Sequence, residues 1–174
     1  DDFSLGLTPT CTVPTALTAT ATSSTAANLG WTAPGSGSPV SYNWEVRTSG
    51  AGGSGATGLT ASGNVAAPTV TASTSALAAN TTYNLYVRTY CGGTDYSAWV
   101  GPIAFTTPCA ATSPGWTESF ETVTVGSGTG SGSYLPSCWY EIGDWTTASG
   151  NVGTYQKPRT GTKFIYTNWT ADDW

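Results

Sequence analysis

From Tyr83 to Arg88, residues suited to a hydrophobic core alternate strictly with residues suited to a surface. Tyr83, Leu85 and Val87 share one face at the two-residue period of a strand, and the residues between them share the other. This segment is therefore a predicted β-strand with one buried face. The hydroxyl of Tyr83 is expected to bond back to the backbone a few residues upstream and to pin the turn near Leu77.

Further short segments of the same kind lie on both sides of this strand. One places Leu29 and Trp31 inward, and the next places Tyr42, Trp44 and Val46 inward. No amphipathic helical stretch is present, and the many β-branched and Gly residues disfavour one, so the chain is predicted to be all-β. The other predicted strands are 13–19, 27–31, 41–47, two short strands around Leu59 and Val70, and 103–107.

Composition agrees with a folded, loop-rich protein. Only 9% of the 174 residues are charged, yet 12% are aromatic and 8 are Trp, and disordered chains lack such core-forming residues. A chain of this length accommodates one large domain or two small ones.

Charge excludes one class of partner. The chain has 5 basic residues and a net charge of -5, too little positive charge to neutralise a nucleic acid backbone. No apolar run approaches the roughly 18 residues that a membrane span needs. With no signal peptide at its start, the sequence is interpreted as a mature secreted protein or an internal piece of one.

The four cysteines are predicted to form disulfides. They lack the close C-x-x-C pairs of zinc sites, and the chain has no histidine to complete such a site. Disulfides imply an oxidising compartment outside the cytoplasm. Free buried thiols are the alternative.

The stretch 10–108 resembles a fibronectin type III domain, which is an immunoglobulin-like sandwich. Where members of that family carry a proline in the corner before the sixth strand, this chain has Ala79. Alanine can adopt the backbone angles of proline, so the corner is expected to keep its geometry. The residues that carry the resemblance are Pro14, Leu17, Trp31, Tyr42, Val46 and the pattern Leu77-x-x-x-Thr81-x-Tyr83-x-Leu85-x-Val87.

The remaining segments resemble a partial jelly-roll β-sandwich. Residues 109–174 are similar to the N-terminal part of the MAM-like or choice-of-anchor domains of secreted bacterial multidomain proteins, and residues 1–9 to the last strand of a preceding or partner jelly roll. The resemblance implies a window on a tandem array, with the jelly roll completed by further chain or by a neighbouring copy. It rests on 116–121, 135–139, 164–166 and the final Ala-Asp-Asp-Trp.

The resemblance also implies a disulfide pairing. In a seven-stranded sandwich of this order, the start of the first strand and the end of the sixth lie at the same pole, which pairs Cys11 with Cys91. Cys109 ends the last strand at the opposite pole, where Cys138 of the next domain could meet it. Each bridge would stabilise the fold by about 3 to 5 kcal/mol.

Two glutamates are candidates for catalytic or metal-binding groups. Glu118 and Glu121 would point to opposite faces of a strand with no histidine or lysine beside them, so no enzyme is predicted. The jelly-roll resemblance implies instead a structural Ca²⁺ site, with Glu118 or Glu121 and Asp1 or Asp2 as oxygen ligands. Solvated carboxylates and no cofactor are the alternative.

Aromatic residues around the sixth strand form a candidate binding surface, either for sugar rings or for another protein, or a face packed against an adjoining domain. Glu45 and Arg88 are expected to face outward as a weak cross-strand pair. The Gly-rich stretch 49–58 lacks the lysine of a phosphate cradle and is interpreted as a flexible connection. The candidate surface consists of Tyr86, Tyr90, Tyr96 and Trp99.

These observations predict a non-enzymatic, extracellular structural or adhesive repeat of a large secreted or cell-surface protein. The more specific prediction is a filament subunit that assembles by strand complementation. The alternatives are an accessory carbohydrate-binding module of a secreted enzyme and the ectodomain of an animal adhesion receptor. The expected partners are copies of the chain or adjacent domains, with glycan or a cell-surface protein as further candidates, and neither nucleic acid nor a membrane.

Overall fold

The computed structural model describes residues 10–111 and, beyond them, 119, 121, 138, 145–149 and 163–167. The chain divides into two compact units, Asp1–Ala110 and Ala111–Trp174. In the described ranges every regular element is a strand, as the sequence predicts.

The first unit is a sandwich of two antiparallel sheets. One sheet has three strands in the order β1-β2-β5. The other has the order β4-β3-β6, with β7 and β8 both paired to the far side of β6. The strands are β1 Thr15–Ser23, β2 Ala26–Thr32, β3 Ser41–Arg47, β4 Leu59–Ala66, β5 Thr71–Thr74, β6 Thr82–Gly92, β7 Asp95–Tyr96 and β8 Val100–Thr106.

The predicted strand positions are confirmed, with three main differences in extent. The first strand, predicted at 13–19, runs from Thr15 to Ser23. The strand near Leu59 is eight residues long rather than short, because it pairs with β3 along almost its whole length. The seventh predicted strand, placed at 103–107, begins earlier, at Val100. The two-residue strand β7 was not predicted.

The predicted inward faces form the hydrophobic core between the sheets. Trp44 lies opposite Val87 and Val46 opposite Leu85, so alternation along β3 and β6 directs both sets of side chains to the same side of the sheet. Val46, Leu85 and Val87 are completely buried. The buried core consists of Ala27, Leu29, Trp31, Tyr42, Trp44, Val46, Leu77, Tyr83, Leu85, Val87 and Phe105.

The predicted tyrosine corner is present before β6. The backbone N–H of Ala78 donates to the Tyr83 hydroxyl across 2.9 Å. On the other side of the corner, the Thr107 hydroxyl donates to the Ala78 carbonyl at 2.7 Å and accepts from the Thr81 N–H at 3.1 Å. The corner is therefore tied both to the start of β6 and to the end of β8.

β7 and β8 follow one another along β6, and residues 97–99 lie between them. Ser97 maintains the pairing at this interruption: its N–H donates to the Thr89 carbonyl at 3.0 Å, and its hydroxyl accepts from the Thr89 N–H at 2.9 Å. At the start of β8, Gly101 has φ +132°, and a Cβ there would lie 2.8 Å from Cδ1 of Tyr86. The interruption and this glycine therefore allow the chain to pass close over β6.

In the second unit the described strands are β9, Trp145–Ser149, and β10, Lys163–Thr167, which pair antiparallel along their full length. The backbone N–H of Lys163 donates to Glu121 Oε1 at 2.8 Å. β10 contains the 164–166 segment on which the jelly-roll resemblance partly rests. The other segments that carry it, including residues 1–9, lie largely outside the described residues, so the partial jelly roll stays a prediction.

Candidate functional site

All four cysteines form disulfides, and one bridge closes the first unit where it is predicted. Cys11 and Cys91 are bonded, with their Cα atoms 5.7 Å apart and a sequence separation of 80. Cys109 and Cys138 are also disulfide-bonded, which supports the second predicted pairing, and no cysteine is free. The alternative of free thiols is thereby excluded.

Asp95 brings a carboxylate near the Cys11–Cys91 bridge, with one ligand-type atom of each residue within 4.8 Å of the others. Both sulfurs belong to the disulfide, and only a thiolate is a strong metal ligand. Asp95 Oδ2 instead accepts a hydrogen bond from the Thr10 hydroxyl at 2.6 Å. This group is therefore structural.

The predicted calcium ligands are not brought together in the described part of the chain. Asp1, Asp2 and Glu118 lie outside it. Glu121 Oε1 accepts a hydrogen bond from the backbone N–H of Lys163, so this carboxylate contacts the first residue of β10. The Ca²⁺ site stays a prediction.

The prediction that Tyr86 belongs to an exposed aromatic strip is wrong. Tyr86 lies on the outer face of β6, but it is buried, because the 49–58 loop folds over it. Its hydroxyl donates to the Gly50 carbonyl at 3.2 Å. The other predicted members of the strip do reach the surface: Tyr96 is exposed, and Tyr90 and Trp99 are half-buried.

Arg88 joins these aromatic residues, and the structure does not pair it with Glu45 as predicted. Its guanidinium carbon lies 4.1 Å from the ring centre of Tyr96 and 4.8 Å from the ring of Trp99. The Tyr90 ring lies 4.7 Å from Tyr96. We call Arg88, Tyr90, Tyr96 and Trp99 the Arg88 cluster.

The interruption between β7 and β8 positions this cluster. Ser97 is hydrogen-bonded to Thr89 through both its N–H and its hydroxyl. This holds the chain next to β6, so that Tyr96, just before Ser97, and Trp99, two residues after it, both contact Arg88. Stacking on aromatic faces stabilises a guanidinium and leaves its N–H groups free in the plane. The result is a cation held in one orientation at the surface.

Glu45 pairs with Arg47 on its own strand, at 2.6 Å. The Arg47 guanidinium also donates to the carbonyls of Ser49, Gly55 and Thr57, and Glu45 accepts the Gly53 N–H at 2.9 Å. The prediction of a flexible connection over 49–58 is therefore wrong, because the loop wraps a fully buried arginine. Both arginines were missed as organising residues, although alternation places them on the outer face and a Tyr96-Ser97-x-Trp99 motif follows Arg88.

In the described part of the chain no helix is long and apolar enough to cross a membrane. Within the described residues, an open depression lies on the three-stranded sheet, lined by Asn28, Leu29, Thr71, Ala72 and Ser73.

Several solved structures resemble this chain. The fn3 domain of the human collagen alpha-1(XX) chain has a TM-score of 0.51 at 18% identity, over 65% of this chain and 100% of that one. The FN1-FN3 domains of chicken CNTN1 have a TM-score of 0.46 at 18% identity, over 55% of this chain and 31% of that one. The FN5 domain of Drosophila Lar has a TM-score of 0.42 at 18% identity, over 56% of this chain and 96% of that one.

At such identities these likenesses concern the fold alone. No curated protein matches the chain in sequence. The sequence model of the fibronectin type III domain matches residues 12–106, more than half of the chain, and coincides with the sandwich and its tyrosine corner. Such domains are common structural and adhesive modules of extracellular proteins and are generally not catalytic. Through residues 12–106, this chain belongs to the fibronectin type III family.

Proposed function

We propose that this protein is an extracellular structural repeat that keeps its neighbours at a fixed spacing and transmits tension between them. The observation that carries the proposal is the position of the Cys11–Cys91 bridge, which joins the segment before the first strand to the end of β6. Disulfides in a fibronectin type III domain are those of an extracellular, oxidising setting.

The bridge changes the path that a pulling force takes through the sandwich. Without it, tension applied before Cys11 would first act on β1, an edge strand whose one partner among the described strands is β2. With it, tension passes directly to β6, which is paired with β3 on one side and with β7 and β8 on the other. The chain between the two cysteines, a sequence separation of 80, then cannot be extended.

The proposal is tested by holding the full chain under constant tension between handles at its two ends. Wild-type protein is compared with the double variant Cys11→Ser/Cys91→Ser, which keeps the other bridge. The first unit of wild type is expected to survive longer at equal force, because β1 is shielded. Equal lifetimes would exclude a mechanical role for this bridge.

The finer form of the proposal is end-to-end association of copies into a filament. It rests on the jelly-roll resemblance of the two ends, which lie largely outside the described residues. Electron microscopy of the purified protein tests it, since extended particles with a regular repeat are expected. Compact separate particles at all concentrations would show that the chain does not form filaments by itself. The spacer role is tested separately, by the tension experiment.

A further inference from the structure

Arg88 carries a positive charge that no carboxylate neutralises within the part of the chain that the structure describes. The ion pair found there joins Glu45 to Arg47, and Arg47 also donates to three backbone carbonyls. Arg47 is thus satisfied internally and completely buried. Arg88, only half-buried, stands in a chain with 5 basic residues in total, so an unpaired arginine at the surface calls for an explanation.

Internal hydrogen bonding does not explain why an arginine stands at this position. Arg88 Nε is buried without a partner, and so is Oδ1 of Asn43, the residue directly opposite on β3. Buried polar atoms in proteins are usually hydrogen-bonded. The two Nη groups are not among the buried atoms and donate no hydrogen bond to the described residues.

The rings of Tyr96 and Trp99 both contact the guanidinium of Arg88, with ring centres 4.1 and 4.8 Å from its carbon atom. A guanidinium held in this way presents a planar pair of N–H donors whose geometry matches a carboxylate. Less side-chain freedom remains to be lost when an anion binds, which favours affinity. Beside these donors, Tyr96 is 44% exposed, so part of its side chain is open to apolar contact.

We propose that the Arg88 cluster binds a carboxylated sugar of an acidic glycan. The sugar carboxylate accepts two hydrogen bonds from the Nη groups of Arg88, and the apolar face of the sugar ring lies against Tyr96. This binding site goes beyond the spacer function and does not depend on it.

Size and charge favour a sugar over other anionic partners. Four side chains match one sugar ring, whereas a stable protein interface takes roughly 20 to 30 residues on each side. The net charge of -5 would repel a densely sulfated polymer or a nucleic acid, with many closely spaced charges, more strongly than a sugar that carries one carboxylate. A neutral sugar would leave the charge of Arg88 without a counterpart.

The first experiment titrates the full chain with trigalacturonate and, in parallel, with its methyl ester, which has the same rings without the charges. Binding of the acid is expected to weaken with added salt, because salt screens the charges. The ester is expected to bind at least about tenfold more weakly than the acid, because a hydrogen bond to a charged group contributes more than a tenfold gain in affinity. Equal binding of acid and ester, or no binding of the acid, would overturn the proposal.

The second experiment locates the site by nuclear magnetic resonance of the wild-type protein. Trigalacturonate is expected to shift the indole N–H of Trp99 and the ring signals of Tyr96. Shifts confined to the three-stranded sheet or to the second unit would overturn the proposal. Because it needs no variant, this result stands even where a substitution prevents folding.

Variants complete the test. Arg88→Gln, which removes the charge, and Tyr96→Ala, which removes the exposed ring, are each expected to weaken binding about tenfold, and Arg88→Lys to weaken it because an ammonium lacks the planar pair of donors. Thr71→Ala, on the exposed edge of the other sheet, should bind like wild type. Equally tight binding of a short poly-glutamate peptide would identify the cluster as a protein contact instead, and the sugar assignment would be wrong.

Discussion

Arg47 Nη1 donates to Glu45 Oε2 across 2.6 Å on the outer side of β3, and the Arg47 side chain is fully buried. The residues are two apart, so alternation places them on the same face. A buried charge is costly unless it is paired and hydrogen-bonded. The loop 49–58 meets this requirement by supplying backbone carbonyls, and it thereby closes over the outer face of the sheet.

Glu45→Ala is expected to lower the free energy of unfolding by about 3 kcal/mol, because it leaves the buried Arg47 charge without its counter-ion. Glu45→Gln is the matched control, since its amide oxygen can still accept from Arg47 and from Gly53. Denaturant unfolding measures both. Equal losses in the two variants would show that the charge of Glu45 does not stabilise the loop.

Alanine substitutions at Gly53 and Gly55 distinguish the effect of backbone strain from the effect of contact with Trp99. Both have positive φ, +76° and +93°, but a Cβ on Gly53 would lie 2.5 Å from Trp99 Nε1, whereas a Cβ on Gly55 would meet nothing within 4 Å. Gly53→Ala should therefore destabilise the protein by about 1 kcal/mol or more beyond Gly55→Ala. Thermal unfolding followed by Trp fluorescence gives the comparison, and identical melting temperatures would contradict the packing of the loop on Trp99.

Tyr83→Phe removes the hydroxyl that accepts the Ala78 N–H and is expected to cost about 1 to 3 kcal/mol, since the donor is left without its acceptor. Tyr90→Phe removes a surface hydroxyl that donates to Gly93 over 3.3 Å. The surface change should cost well under about 1 kcal/mol. Equilibrium unfolding in urea tests the pair, and a corner variant as stable as the surface variant would show that the corner bond is dispensable.

Stability at alkaline pH depends on Tyr42. Burial raises the pKa of the Tyr42 hydroxyl above its ordinary value of 10.0. The unfolded chain therefore loses this proton at a lower pH than the folded protein does, and the contribution is intact below pH 10 and lost as pH rises through the folded pKa. Relative to Tyr42→Phe, wild-type stability should be constant below pH 10 and fall above it, as urea unfolding at a series of pH values measures. A constant difference throughout would contradict this assignment.

The core could be predicted from sequence because it depends on local alternation. Tyr83, Leu85 and Val87 lie on one face by the geometry of a strand, and the corner places the Tyr83 hydroxyl against the turn before it. The Cys11–Cys91 pairing followed from the resemblance to a known strand order rather than from the residues themselves.

The outer face could not be predicted in the same way, because long-range contacts decide it. Alternation correctly places Tyr86 and Arg88 on the outer side of β6, but it cannot show that a glycine-rich loop returns over Tyr86 or that Trp99 reaches Arg88. The 49–58 loop has few large side chains, and such a composition predicts flexibility. The loop is instead held in place by hydrogen bonds from Arg47, a residue outside the loop.

The extension of single molecules tests the central claim most directly. If the Cys11–Cys91 bridge removes the chain between the cysteines, a sequence separation of 80, from the path of the force, wild type should gain less extension on complete unfolding than Cys11→Ser/Cys91→Ser. The expected difference is about 280 Å, from roughly 3.5 Å per extended residue. The wild-type sandwich should also open at higher force than the variant. Equal extensions, or equal opening forces, would contradict the account of this domain as a disulfide-shielded spacer.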